Sequence, residues 1–242
     1  MQAIILAAGL SKRLRPLTDN SPKCLLNIGN KNLLHRTIVN VLDNGINDFI
    51  VVTGYKEDMI KNYIKEKFPQ ISVEFITNSD YANNNNSYSL WMTKQFVRED
   101  VILLDSDILF DKLIVGDLLN SSHENCLAVN VTDDLDEEQI KVITDNNNRI
   151  LHIGKQVSID ESIGESIGIE KFSLYFMKEL FSILDRKILQ ENIVNEFYEV
   201  SFQEIIDKKK DGNSMYAIDV SKYDCMEIDT IEDYDKAQKI CI

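Results

Sequence analysis

The chain has 242 residues, 44% of them hydrophobic, and carries 40 Asp and Glu against 26 Lys and Arg, a net charge of −14. That length supports a full hydrophobic core in one large unit or two small ones. The acidic balance excludes the broad basic face that nucleic-acid binding needs, and no apolar run reaches the ~18 residues of a membrane-crossing helix.

In chain order, QAIILAA (2–8) reads as a buried strand closed by Gly9. NLLHRTIVNVLDNG (32–45) has apolar residues at helical spacing and stops at Gly45. DFIVVTG (48–54) is a second buried strand, KEDMIKNYIKEKF (56–68) an amphipathic helix ended by Pro69, ISVEFIT (71–77) a third strand and VILLDSD (101–107) a fourth. Such alternation predicts parallel βαβ units with helices on both faces of a sheet. The second half offers short strands at 126–132, 139–144, 149–154 and 162–172, with a hairpin turn at DNNNR (145–149). Helical spacing returns at 173–184 and 200–209. MYAIDV and CMEID are final strands, and 230–240 is a closing helix capped by Thr230. These elements predict one α/β domain over residues 1–242, with a mixed-sheet insertion.

The N-terminus has no signal-peptide pattern. Cys24, Cys126, Cys225 and Cys241 show no CxxC pair or zinc spacing, which predicts reduced thiols in a cytoplasmic protein.

Within this acidic chain, Lys12, Arg13, Arg15 and Lys23 cluster just after the first strand. In open α/β sheets, ligands bind where loops leave the carboxyl ends of strands. Ala7, Ala8 and Gly9 have little or no side chain, so a base or phosphate can approach the backbone closely. The stretch is neither GxxxxGK[ST] nor GxGxxG, and the missing glycines argue against a dinucleotide-binding oxidoreductase. Spacing alone fits a solvated turn as well as a phosphate site. Two acidic pairs complete the inventory. Asp105 and Asp107 end an apolar run, and Glu227 and Asp229 alternate about Ile228. Carboxylates at such strand ends are explained either by a cation or by exposed turn geometry. Mg²⁺ is held by one or two carboxylates, with water and substrate phosphates filling its octahedron.

The wording LAAGLSKRLRPLTDNSPK resembles the N-terminal motif of the nucleotidyltransferases that make activated sugars and alcohols from nucleoside triphosphates and phosphorylated acceptors. Leu6, Ala7, Ala8, Gly9, Arg13, Leu14, Pro16, Leu17, Thr18, Pro22 and Lys23 match. Ser11 stands where many members have a second glycine. The resemblance implies a Rossmann-like nucleotidyltransferase fold: a central mixed, mostly parallel sheet flanked by helices, with a small β-rich acceptor-side insertion. It also implies a nucleotide site along Leu6–Gly9 and Ser11, with Lys12 and Arg13 on the triphosphate and Lys23 neutralising the α-phosphate. Mg²⁺ would be held by Asp107 and Asp229, with Asp105 beside the nucleotide and Glu227 as an alternative ligand.

NSDYANNNNSYSLW (78–91) is an asparagine-rich loop whose YxxxNNxYSL is close to the pattern of bacterial-type phosphocholine cytidylyltransferases. That likeness implies CTP as donor, with Asn78 placed to read cytosine and Asn86 and Ser89 ordering the loop or the ribose. On the acceptor side it implies Lys155 on the acceptor phosphate, with Glu165 and Gly168 in the following loop. Trp91, Tyr88, Tyr175 and Phe172 are aromatic candidates for a cation–π pocket, or core residues.

The expected reaction is Mg²⁺-dependent transfer of CMP from CTP to a small phosphorylated or phosphonate acceptor, releasing pyrophosphate. Phosphocholine, aminoethylphosphonate and a phosphorylated amino-acid amide fit, and a polyol phosphate stays open. A phosphate dianion needs no general base, consistent with three histidines in no His–Ser or His–Cys arrangement. A sugar-1-phosphate nucleotidyltransferase using UTP, dTTP or GTP is the alternative within the fold. A non-catalytic nucleotide-binding regulatory subunit is the alternative outside enzymes. Oligomeric state is not legible, a homodimer included.

Overall fold

The computed structural model describes residues 1–210 and 212–240. The chain starts with β1 (Gln2–Ala7), a small hairpin of β2 (Asn27–Ile28) and β3 (Lys31–Asn32), and α1 (Leu33–Asp43). Then come β4 (Asp48–Thr53), α2 (Glu57–Lys67), β5 (Ser72–Thr77), α3 (Asn86–Met92), β6 (Val101–Asp105), β7 (Ile108–Phe110) and α4 (Leu113–Asn120). The second half holds β8 (Cys126–Val131), β9 (Lys141–Thr144), β10 (Ile150–Gly154), β11 (Gly164–Phe172), α5 (Leu174–Asp185) and α6 (Tyr198–Asp207). β12 (Tyr216–Asp219), β13 (Cys225–Glu227) and α7 (Ile231–Ala237) end it.

Nine strands form one mixed sheet in the order β10-β9-β11-β6-β1-β4-β5, with β8 on β11 and β12 on β8. β6, β1, β4 and β5 run parallel, in registers that pair Leu6 with Asp105, Ala7 with Thr53 and Thr53 with Thr77. Their carboxyl ends therefore share one edge, where side chains of different loops can meet. β1 is buried along its whole length because both sheet faces are covered. Ile4 and Leu6 pack with Phe176, Leu180 and Phe202 under α5 and α6. Ala3 and Ile5 pack with Leu34, Ile38 and Ile60 under α1 and α2.

β11 is the hinge of the sheet's two halves. It pairs antiparallel with β6 on one side and with β8 and β9 on the other, with an irregularity between Ser166 and Glu170.

Two short helices depart from the sequence expectation. α3 starts inside the stretch read as an asparagine-rich loop, with the Asn85 side chain accepting from Asn86 N as its cap. α4 contains Gly116 and follows β7, a short strand separate from β6, which ends at Asp105 rather than Asp107. Ser106 and Asp107 form a turn before β7, so Asp105 and Asp107 belong to different backbone segments. Cys24, Cys126 and Cys225 are free thiols, and Cys241 lies outside the described residues. No described helix is long and apolar enough to cross a membrane.

Candidate active site

A cavity of about 320 Å³ opens at the carboxyl ends of the parallel strands. Leu6, Ala7, Ala8, Gly9 and Ser11 form one wall, and Arg13 and Lys23 reach into it from the loop that follows. The loop is bent at Ser11, whose φ of 47° lies in the left-handed region that glycine adopts freely. Buried Thr18 holds the bend by donating from Oγ1 to the Ser11 carbonyl at 2.9 Å. This accounts for the position where related motifs carry glycine: the backbone geometry is kept although the residue differs.

Lys23 is only 6% exposed. Its Nζ donates to Asp107 Oδ2 at 2.9 Å and to Asp229 Oδ1 at 2.6 Å, and Arg13 Nη2 pairs with the other oxygen of Asp229. Residues more than 200 positions apart thus meet at one point, because β7 pairs with β13 and aligns Ile108 with Glu227. Burial works against the Lys23 charge, but Asp107 and Asp229 outweigh it and hold the ammonium above its ordinary value. Burial likewise opposes the Asp229 charge, yet Lys23 and Arg13 pull that carboxyl below the usual range. At Glu227 the pull of Lys23 is outweighed: burial, then Asp107 and Asp229, push it up to about 8.

Carboxylate oxygens of Asp107, Glu227 and Asp229 lie within 4.8 Å of one another, a group that can hold a metal ion among the described residues. The donor set suits a hard divalent cation, since it is all oxygen and leaves coordination positions for water and phosphate. The Lys23 ammonium, bridging two of the three, stands in for that cation's charge.

Asp105 also lines the cavity but takes no part in this group. Its Oδ2 accepts from the Tyr198 hydroxyl at 3.0 Å, and burial, with Asp107 and Glu199 nearby, drives it well above the ordinary carboxylate range. Gly168 explains its position. A Cβ there would lie 2.9 Å from Asp105 Oδ2, so only glycine, here at φ 69°, leaves the carboxyl its place.

The asparagine-rich segment forms a further wall. Asn78 is buried, its Nδ2 donating to Asn84 Oδ1 at 2.8 Å and Ser89 Oγ at 3.0 Å, while its Oδ1 accepts from Asp80 N and Asn84 Nδ2. Its amide is spent on shaping the loop. Asn86 Oδ1 accepts from Tyr198 N at 3.0 Å, tying α3 to the start of α6.

The remaining expected residues lie apart. Lys12 is exposed beside the cavity and is not in its lining. Lys155 lines a neighbouring cavity of about 650 Å³ that shares Phe197 with the first. Glu165 accepts from Asn130 Nδ2 at 3.3 Å and borders neither cavity.

Tyr81, Asn84, Asn85 and Phe197 also line the first cavity, and Glu199 the second; the sequence reading named none of them for a site. For the two asparagines the signal was present in NNNN. For Phe197 and Glu199 there was none, since an aromatic and an acid opening a helix are ordinary.

Comparison with known proteins finds relatives along nearly the whole chain. A family model described as "Nucleotidyl transferase" matches residues 2–148. The chain is 28% identical over 247 residues to a choline-phosphate cytidylyltransferase of Streptococcus pneumoniae, covering 99% of this chain and 98% of the relative. It is 31% identical over 255 residues to a CTP:phosphoglutamine cytidylyltransferase of Campylobacter jejuni, covering 96% and 97%. Among solved structures, the CTP:phosphocholine cytidylyltransferase of Streptococcus pneumoniae superposes with a TM-score of 0.83 at 26% identity, over 98% of this chain and 97% of that one.

Proposed function

The chain belongs to the nucleotidyl transferase family, and from that premise we propose that it transfers CMP from CTP to a small phosphorylated or phosphonate acceptor. The observation that carries the reading is the junction of Lys23, Arg13, Asp107 and Asp229 under the glycine-containing loop. Cationic side chains for a triphosphate and carboxylates for a divalent ion meet at one wall of one cavity. CTP as donor is supported by the two relatives above, both named cytidylyltransferases.

In the proposed step, an acceptor phosphate oxygen attacks the α-phosphorus. A new P–O bond forms, the bond to the bridging oxygen breaks, and pyrophosphate leaves with that electron pair. No proton need be removed from a phosphate dianion, so the site's task is alignment and charge stabilisation. Asp107, Asp229 and Glu227 would hold Mg²⁺, which when bound neutralises phosphate charge. Lys23 and Arg13, released from the carboxylates they pair with, turn to the phosphate oxygens. Ala7, Ala8 and Gly9 let the nucleotide lie against the backbone, and Asn84 and Asn85 offer amides to the base or ribose.

The test is pyrophosphate release with each of the four NTPs, with and without Mg²⁺, across a panel of phosphorylated acceptors. Release confined to CTP and dependent on Mg²⁺ is expected. Preference for UTP, dTTP or GTP would overturn the donor assignment, and silence with every pair would overturn the reaction.

A further inference from the structure

The lining of the second cavity carries both signs of charge. Lys155 is its cation, with its Nζ 4.9 Å from the Phe197 ring centroid and 3.1 Å from Glu138 Oε2. Glu161, Asp207 and Glu199 are its carboxylates, and Glu199 is the buried one, 4% exposed, with its Oε2 lacking any hydrogen-bond partner. Glu170, fully buried within charge range of Glu199, lies outside this lining. Burial pushes Glu199 up to about 7, against the pull of Lys155. Leaving a buried carboxylate oxygen without a hydrogen bond is costly, so Glu199 Oε2 marks a place in this cavity suited to an N–H donor. Gln203 cannot supply it: its Nε2 donates to Leu151 O and Asp207, and its Oε1 accepts from Ile153 N.

The chemistry of the missing donor follows from what surrounds it. Quaternary ammonium groups carry no N–H and are recognised by aromatic cages. Among the described residues, Phe197 is the one Phe, Tyr or Trp lining this cavity, and Lys155 already covers it. The other aromatic candidates lie elsewhere. Trp91 donates to Asp185, Phe172 stacks on Phe176 in the core, and Tyr175 sits beside Lys210. A protonated primary amine, by contrast, brings three donors.

Resting on the transfer reading above, we infer that this cavity takes the far end of a zwitterionic acceptor: a phosphate or phosphonate carrying a protonated primary amine, which donates to Glu199. It disfavours both a trimethylammonium group and a neutral tail. Lys155, at the side shared with the nucleotide cavity, faces the acceptor's anionic end.

The experiment is calorimetric titration of the full chain with phosphoethanolamine, phosphocholine and propyl phosphate, and of Glu199→Gln with the same three. Phosphoethanolamine is expected to bind about tenfold or more tightly than the other two, the worth of one charge-assisted hydrogen bond. The preference should collapse in the variant. The wild-type ranking needs no variant, so a Glu199→Gln chain that fails to fold leaves the test intact. Equal or tighter binding of phosphocholine or propyl phosphate, no binding of the amine, or an undiminished preference in a folded variant would overturn the inference. Pyrophosphate release in the same samples separates the two readings. Amine-selective binding without release from any NTP removes the transfer and keeps the pocket's selectivity, whereas release without amine preference does the reverse.

Discussion

Lys23 is the residue on which the site's electrostatics turn. With Lys23 gone, Asp107 and Asp229 face each other with Arg13 alone to offset them. Lys23→Ala is expected to lower turnover by on the order of 10²–10³-fold with the circular dichroism spectrum unchanged, since its partners lie at the cavity wall rather than in the core. Glu199 yields a second outcome, read from stability. Its pKa of about 7 in the folded chain stands above the ordinary 4.5. Between those values the unfolded chain has lost a proton that the native chain keeps. Stability therefore falls as pH rises through that window and levels above it. Glu199→Gln removes this loss, so the variant should gain about 1–3 kcal/mol on wild type at pH 8 relative to pH 5, measured by thermal melts at both. At this scale the sequence disclosed the residues whose wording is distinctive, in LAAGLSKRLRPLT, DSD and EID. It hid Glu170 and Glu199, because a carboxylate's burial depends on what packs over it. Glu170 is enclosed only because β11 has neighbours on both sides.

Among the elements, α7 shows how a helix start fixes a site. Thr230 accepts from Asp233 N while Asp233 Oδ2 accepts from Thr230 N, a reciprocal capping box, and the same Oδ2 reaches Asp229 N at 3.3 Å. The cap thus tethers the backbone of a candidate metal ligand. Thr230→Ala should cost about 1 kcal/mol of stability and also weaken Mg²⁺ binding, checked by chemical melts and by metal titration. The bend at Ser11 predicts the opposite sign: Ser11→Gly relieves a left-handed residue and should stabilise by up to about 1 kcal/mol without loss of turnover. The long elements were legible because their periodicity is strong. α1 repeats Leu34, Ile38 and Val41 on one face, and all three are buried. α3 and α4 were not legible, being two turns each, one built from asparagine and serine and the other interrupted by Gly116. Neither has enough length for a period to stand out.

Across the whole molecule, the surplus of acid converges on a place where it is useful. Asp107, Glu227 and Asp229 come from segments joined by the β7–β13 pairing, and their mutual repulsion is a cost that a divalent ion would remove. Mg²⁺ should therefore raise the melting temperature, by the equivalent of about 2.7 kcal/mol at a hundredfold excess over Kd, and Asp229→Asn should abolish most of that rise in a thermal-shift titration. β11 carries a wider consequence. The same strand that places Gly168 against Asp105 at the first cavity carries Glu170 within charge range of both Asp105 and Glu199, and Glu199 lines the second. In the proposed reaction one backbone segment, paired with three others, would set the distance between donor and acceptor. Under the proposed transfer, the irregularity between Ser166 and Glu170 sets that distance, and admitting a longer substrate would mean resetting a sheet register rather than trimming a loop.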